Sequence, residues 1–262
     1  MKVIEIINTI EKTAPLSAAA GWDASGVQVA SRLENISAVA VMLDPTLASI
    51  RAALDSGADF ILSHHPLSMK PRFPSKADSY LDILGLLFKK DAWLYSAHTS
   101  LDGNPEGPVR WLAHELALKN VRILEADAPG EGQEASYGFG FVGDLPVAQP
   151  YDAFCAALRQ LVAVPVWNAC GARPETVRRV ACCPGSGSDL IALAAQSGAE
   201  VFITGDVKYH AALDASGLLP RILDVGHFSL EEEMMRRFAA QLAKDFSVPV
   251  AFYPAQDPLR KE

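Results

Sequence analysis

Ser56-Gly57-Ala58-Asp59-Phe60-Ile61-Leu62-Ser63-His64-His65 decides how this chain is read, because a close variant returns as Ser197-Gly198-Ala199-Glu200-Val201-Phe202-Ile203-Thr204-Gly205-Asp206. In each copy a glycine of the kind that stops a helix precedes a short apolar run suited to a buried strand. A second pair keeps the same order: Ala97-His98-Thr99-Ser100-Leu101-Asp102 and Gly226-His227-Phe228-Ser229-Leu230-Glu231. Chance likeness between two strand-helix units is the competing account, since helix stops and strands look alike everywhere. We read the two matches as a duplicated half with pseudo-twofold symmetry, its equivalent strand ends facing one cleft.

Working outward, Val3, Ile6, Ile7 and Ile10 share one helical face, with Pro15 just beyond. Strands are expected at 26–30, 36–44, 59–63 and 93–97, and helices from Pro45 to Gly57, over 80–90 and near 107–118. Residues 125–136 are acidic, small and glycine-containing, the composition of a linker or exposed loop. A second series follows, with strands at 137–142, 164–168, 177–182, 200–204, 221–225 and 248–253. Its helices are expected at 151–162, 187–197, 206–214 and 228–245. Strands alternating with helices of this length predict an α/β fold with mainly parallel sheets. The repeat divides it into two similar, pseudo-twofold related lobes, and the histidines at the strand ends make the cleft between them the expected metal cleft. The expected division is a first lobe 1–124, a linker or exposed loop 125–136 and a second lobe 137–262, with packing of the lobes as one continuous unit the alternative.

The 262 residues suffice for one large or two modest domains, and a half-hydrophobic chain with 21% charge is not a disordered one. Mean hydropathy is +0.13 and the pI about 5.3. A formal charge of −8 disfavours generic binding of nucleic acid, while leaving room for a small phosphorylated ligand at a local site. Arg173, Arg178 and Arg179 form a local basic cluster that reads best as a solvated face. Cys155, Cys170, Cys182 and Cys183 form no C-x-x-C pair, which argues against a disulfide scaffold or a thiolate zinc site. No apolar run reaches the roughly 18 residues of a membrane span, and the first 15 residues lack a signal-peptide pattern, so a cytoplasmic protein is expected.

Of six histidines, His64, His65, His98 and His227 fall directly after expected strands. In a parallel sheet those ends share one edge, where ligands bind. His114 lies within a helix and reads as packing or surface; His210 follows the strand end at Thr204-Gly205-Asp206. Adjacent side chains on a strand face opposite ways, so His64 and His65 suit two metals better than one. His227 and Glu231 are four apart, as are His98 and Asp102, a spacing that brings imidazole and carboxylate together on a helix. His64, His65, Asp102, His227 and Glu231 make a set of three imidazoles and two carboxylates that suits Zn, Fe, Mn, Co or Ni. A carboxylate can bridge two such ions about 3.5–4 Å apart, the arrangement used in two-metal hydrolysis. No G-x-S-x-G elbow or G-x-x-x-x-G-K-[ST] loop is present. Gly185-Ser186-Gly187-Ser188 could cradle an anion on backbone N–H groups, but a plain tight turn is the simpler account.

Gly21-Trp22-Asp23 with Gly26, Ser63 to Leu67, Ala97 to Asp102, Ile203 to His210, and Asp224 to His227 with Glu231 resemble, in order, the motifs of the Nif-three-like family of dinuclear-metal-centre proteins, the GTP cyclohydrolase type-two homologues. The resemblance covers residues 21 to 231. It implies two α/β lobes, a toroidal homohexamer, two divalent transition-metal ions per chain, and ligand roles for His64, His65, Asp102, His227 and Glu231. It sets His98 near the metals as a proton-transfer residue. The repeat agrees: the counterparts of His64 and His65 are Gly205 and Asp206, so the second half supplies imidazole through His227, and His98 is released from ligation. Ala24, Ser100 and Ala30 depart from the usual Asn, Asn and Gly, which bears on substrate contacts rather than ligands. The expected function is a metal-dependent hydrolase acting on a nucleotide-like or phosphorylated small molecule. The alternative is a non-catalytic metal-binding ring for metal delivery or protein interaction.

Overall fold

The computed structural model describes residues 1–126 and 137–259. Among them are the strands β1 (Gly26–Val29), β2 (Val39–Met42), β3 (Phe60–Ser63), β4 (Trp93–Ser96), β5 (Lys119–Ala126), β6 (Gly138–Pro150), β7 (Asn168–Cys170), β8 (Thr176–Ser186), β9 (Val201–Gly205), β10 (Arg221–Asp224) and β11 (Val250–Tyr253). The helices are α1 (Val3–Thr13), α2 (Leu47–Asp55), α3 (Ser79–Lys90), α4 (Thr99–Asp102), α5 (Trp111–Glu115), α6 (Tyr151–Val162), α7 (Ile191–Gln196), α8 (Tyr209–Asp214) and α9 (His227–Asp245). The chain is α/β; the described residues form two sheets, and five of their nine strand pairings are parallel.

The chain forms two compact units, Met1–Gly103 with Glu232–Glu262, and Asn104–Glu231. This division departs from the expected 1–124 and 137–262. β11 hydrogen-bonds in parallel beside β2, so the C-terminal segment completes the first sheet. Lys119–Ala126, not anticipated as a strand, pairs antiparallel with β6 and joins the second. Glu125 and Ala126 therefore close β5, and the rest of the expected linker, 127–136, lies outside the described residues.

In the first unit the sheet runs β1-β4-β3-β2-β11. All four residues of β2 and of β3 are buried, as expected of parallel strands covered on both faces. The core packs Ala40, Met42 and Ile61 against Ile50 and Ala53 of α2 and Leu84 and Leu87 of α3. Thr46 caps α2 by accepting from Ser49 N at 3.1 Å, and Asp78 caps α3 by accepting from Leu81 N at 3.3 Å.

In the second unit the order is β5-β6-β8-β9-β10-β7. β8, β9 and β10 are parallel, while β5, β6 and β7 are joined through antiparallel pairs. The strand expected at 164–168 lies at Asn168–Cys170, and the one begun at 137 continues to Pro150. The repeat holds in backbone detail. Gly57 and Gly198 have φ of +92° and +76°. Gly57 N and Ala58 N donate to Leu54 O and Ala53 O, both at 3.1 Å, and Gly198 N and Ala199 N donate to Ala195 O and Ala194 O at 3.0 and 3.3 Å. Each is a helix stop in which glycine takes the left-handed turn and hands the chain to a buried strand.

Candidate metal centre

In the first unit β2, β3 and β4 are parallel neighbours whose last residues, Met42, Ser63 and Ser96, lie side by side. The chain just beyond these ends supplies Asp44, His64, His65 and His98. The histidine corner is pinned by its backbone. Ser63 Oγ donates to His65 O at 2.7 Å, Ser96 Oγ to His64 O at 2.6 Å, and His64 N and His65 N reach Leu43 O at 3.1 and 3.0 Å. Because β3 ends at Ser63, the two rings do not splay to opposite faces as an extended strand would require; their centroids are 4.9 Å apart. His98 joins them, 5.1 Å from His64 and 5.5 Å from His65. One ligand atom from each of the three lies within 4.8 Å of the others. On α4, Asp102 places Oδ2 at 3.7 Å from His64 Nε2.

The second unit repeats the plan. His227 begins α9 just past β10, and its Nε2 lies 2.7 Å from Oε2 of Glu231, one turn on. Glu231 is buried. Gly185, at the end of β8, has φ +72°, and a Cβ there would stand 2.3 Å from Glu231 Oε1. The segment expected to be a plain turn is thus a wall for this carboxylate. His210 lies on α8, and His114 on α5.

Every one of the four strand-end histidines is held by Nδ1. His64 Nδ1 donates to the Ala97 carbonyl at 2.8 Å. The Nδ1 atoms of His65 and His98 donate to Asp44 and Asp23, each at 2.7 Å, and that of His227 to Asp206 at 2.8 Å. Carbonyl and ionised carboxylate oxygens only accept, so the proton sits on Nδ1, and a neutral ring of His64, His65 or His98 then carries its lone pair on Nε2. His227, with a carboxylate at each nitrogen, must give up its Nε2 proton before that atom can bind a metal. This is how metal-binding histidines are prepared. The buried cluster is therefore able to bind a metal ion through borderline N and O donors, and these residues fit the group that the motifs imply.

Charge follows the same contacts. Burial alone would raise the Asp23 carboxyl and lower the His227 imidazole. Hydrogen bonds from His98, Ser25 and Thr99 outweigh burial at Asp23 and hold it well below the usual carboxylate range. Glu231 and Asp206 outweigh it at His227, whose pKa rises to about 9 from 6.5. In metal-free protein the stability from this group is complete below about pH 6.5 and lost as pH rises through about 9. Chelator-stripped protein should therefore show a denaturant midpoint that falls across that window, and His227→Gln should flatten the slope. A midpoint falling equally in both proteins would contradict this.

Sequence reasoning missed the three holding carboxylates. Asp23 and Asp206 lay within quoted motifs, and Asp44 ended an apolar strand; the signal available for Asp44 and Asp206 was an acidic residue just past a strand, whereas Asp23 precedes β1 and carried no such mark. The chain matches the family model Duf34/NIF3 (NGG1p interacting factor 3) over residues 1–258. It belongs to the Duf34/NIF3 family. Among similar members, a Clostridium perfringens protein named GTP cyclohydrolase 1 type 2 homolog is 31% identical over 259 residues, covering 98% of this chain and 97% of that one. The crystal structure of Staphylococcus aureus hypothetical protein SA1388 superposes with a TM-score of 0.87 at 26% identity, covering 100% and 99% of the two chains. Reduced HcgD from Methanocaldococcus jannaschii gives a TM-score of 0.82 at 28% identity, covering 96% and 97%. Among the described residues no helix is long and apolar enough to cross a membrane.

Proposed function

We propose that this Duf34/NIF3 protein is a metal-dependent hydrolase of the cytoplasm in which His64, His65, Asp102, His227 and Glu231 together serve two divalent transition-metal ions. The observation that carries the reading is the anchoring of each strand-end histidine through Nδ1, which commits every Nε2 to a ligand or proton role. Bound there, such ions would supply Lewis acidity and lower the pKa of water. The protein's own residues do the rest. His64, buried on the Ala97 carbonyl, and His65 on Asp44 present fixed Nε2 donors. Asp23 keeps the proton of His98 on Nδ1, so that Nε2 can accept a proton from the attacking group and return it to the leaving group. The name carried by the Clostridium perfringens relative supports a nucleotide-like or phosphorylated substrate.

Purified protein reconstituted with Zn, Mn, Fe, Co or Ni should carry close to two ions per chain and turn over a nucleotide or phosphoester in a substrate screen. Elemental analysis finding no ion under any of these conditions would sink the metal reading. Two ions with no turnover would favour the non-catalytic metal-binding ring. In keeping with the family resemblance we also propose a homohexamer. Light scattering on the same sample should then return six times 28.1 kDa, and a single chain's mass would refute it.

A further inference from the structure

The Gly205-Asp206 corner occupies, in the repeat, the place of His64-His65, yet it supplies no imidazole. Its backbone is costly for what is an ordinary surface position. Asp206 has φ +56°, a left-handed value that a non-glycine residue adopts at a cost. The corner is held there from three sides. Ser188 Oγ donates to Asp206 O at 3.3 Å, and Val207 N donates to Asp224 Oδ2 at 3.1 Å. A Cβ on Gly205 would stand 2.3 Å from His227 N, so the strand end is pressed against the start of α9. The outcome of this strained, close-packed turn is one contact, Asp206 Oδ2 on His227 Nδ1 at 2.8 Å. The first unit makes the same contact with a different residue, Asp44 on His65, from the end of β2.

We infer that Asp206 and Asp44 are positioning residues that fix the ring orientation and tautomer of His227 and His65 for metal binding. The inference rests on the metal reading above. It gives the second copy of the repeated strand end a changed role. The first copy offers ligands, and the second holds one in place.

Asp206→Gly suits the test, because glycine accepts the left-handed backbone and only the carboxylate is lost. Asp206→Asn keeps both that backbone preference and an acceptor oxygen. Cobalt(II) is the probe, read by chelator competition and by its visible absorption spectrum. Asp206→Gly should weaken cobalt binding on the order of 10–100-fold and change the spectrum, and Asp206→Asn should recover most of the loss. Asp44→Asn and Asp44→Ala should behave as the same pair in the first unit. Wild-type affinity and spectrum in Asp206→Gly, or an Asn variant no better than Gly, would overturn the positioning role while leaving the metal reading intact. Wild-type protein that binds no cobalt would overturn both.

Discussion

His227→Ala should lose at least one metal ion, whereas His98→Ala should keep both and lose any hydrolytic activity. The two histidines hold equivalent places in the repeat, and each has Nδ1 on an aspartate, so symmetry alone would give them one role. Their surroundings differ. His227 points Nε2 at the buried carboxylate of Glu231, 2.7 Å away, which pairs two candidate ligand atoms in a single helical turn. His98 stands beside two other imidazoles that are already anchored as donors, and its ring meets the edge of the exposed Trp22 at 6.1 Å. Removing a ligand costs metal. Removing a general acid–base typically costs roughly 10²–10⁴ in rate with binding retained. Elemental analysis and single-turnover rates on the two variants separate these outcomes. Equal metal loss in both would show that His98 is a ligand and that the two halves act alike.

How much of this was legible in the sequence depended on whether a feature is local. The helix stop at Gly57 and Gly198 could be read because glycine followed by a buried apolar run is a local signal, and its hydrogen bonds are the same in both copies. The strand-end histidines could be read because parallel strands deliver their last residues to one edge. What could not be read was pairing between distant segments. Lys119–Ala126 has exposed residues at most positions and becomes a strand because β6 lies beside it. β11 belongs with β2 although more than 200 residues of chain separate them. The aspartates at 23, 44 and 206 failed for the same reason. Each acts on a histidine distant in sequence, and no periodicity links an acid to an imidazole across two strand ends. The expectation that His64 and His65 face opposite ways failed on a single residue, since β3 stops at Ser63 and strand alternation stops with it.

Gly185→Ala should disable the metal site through a residue that is not a ligand. Two costs arise at this position, and they can be separated. The first is backbone: at φ +72° an L-residue pays about 1–2 kcal/mol. The second is contact: the new Cβ would stand 2.3 Å from Glu231 Oε1, well inside any allowed distance. A glutamate tip can swing away from such a clash, so the fold itself is expected to survive. Swinging away is the damage, because Glu231 is buried and its carboxylate faces His227 Nε2. Gly217→Ala is the control: its φ of +78° gives a similar backbone cost, and nothing lies within 4 Å of the added methyl. Both variants should share the backbone cost in denaturant unfolding, and metal-free Gly185→Ala should lose more than Gly217→Ala because the displaced carboxylate no longer pairs with His227. Only Gly185→Ala should also lose metal, to an extent near that of Glu231→Gln. If Glu231 bridges the two ions, both leave together; if it is terminal, one remains. A Gly185→Ala protein that binds its full complement of metal would mean that Glu231 has room to move without consequence and is not a ligand.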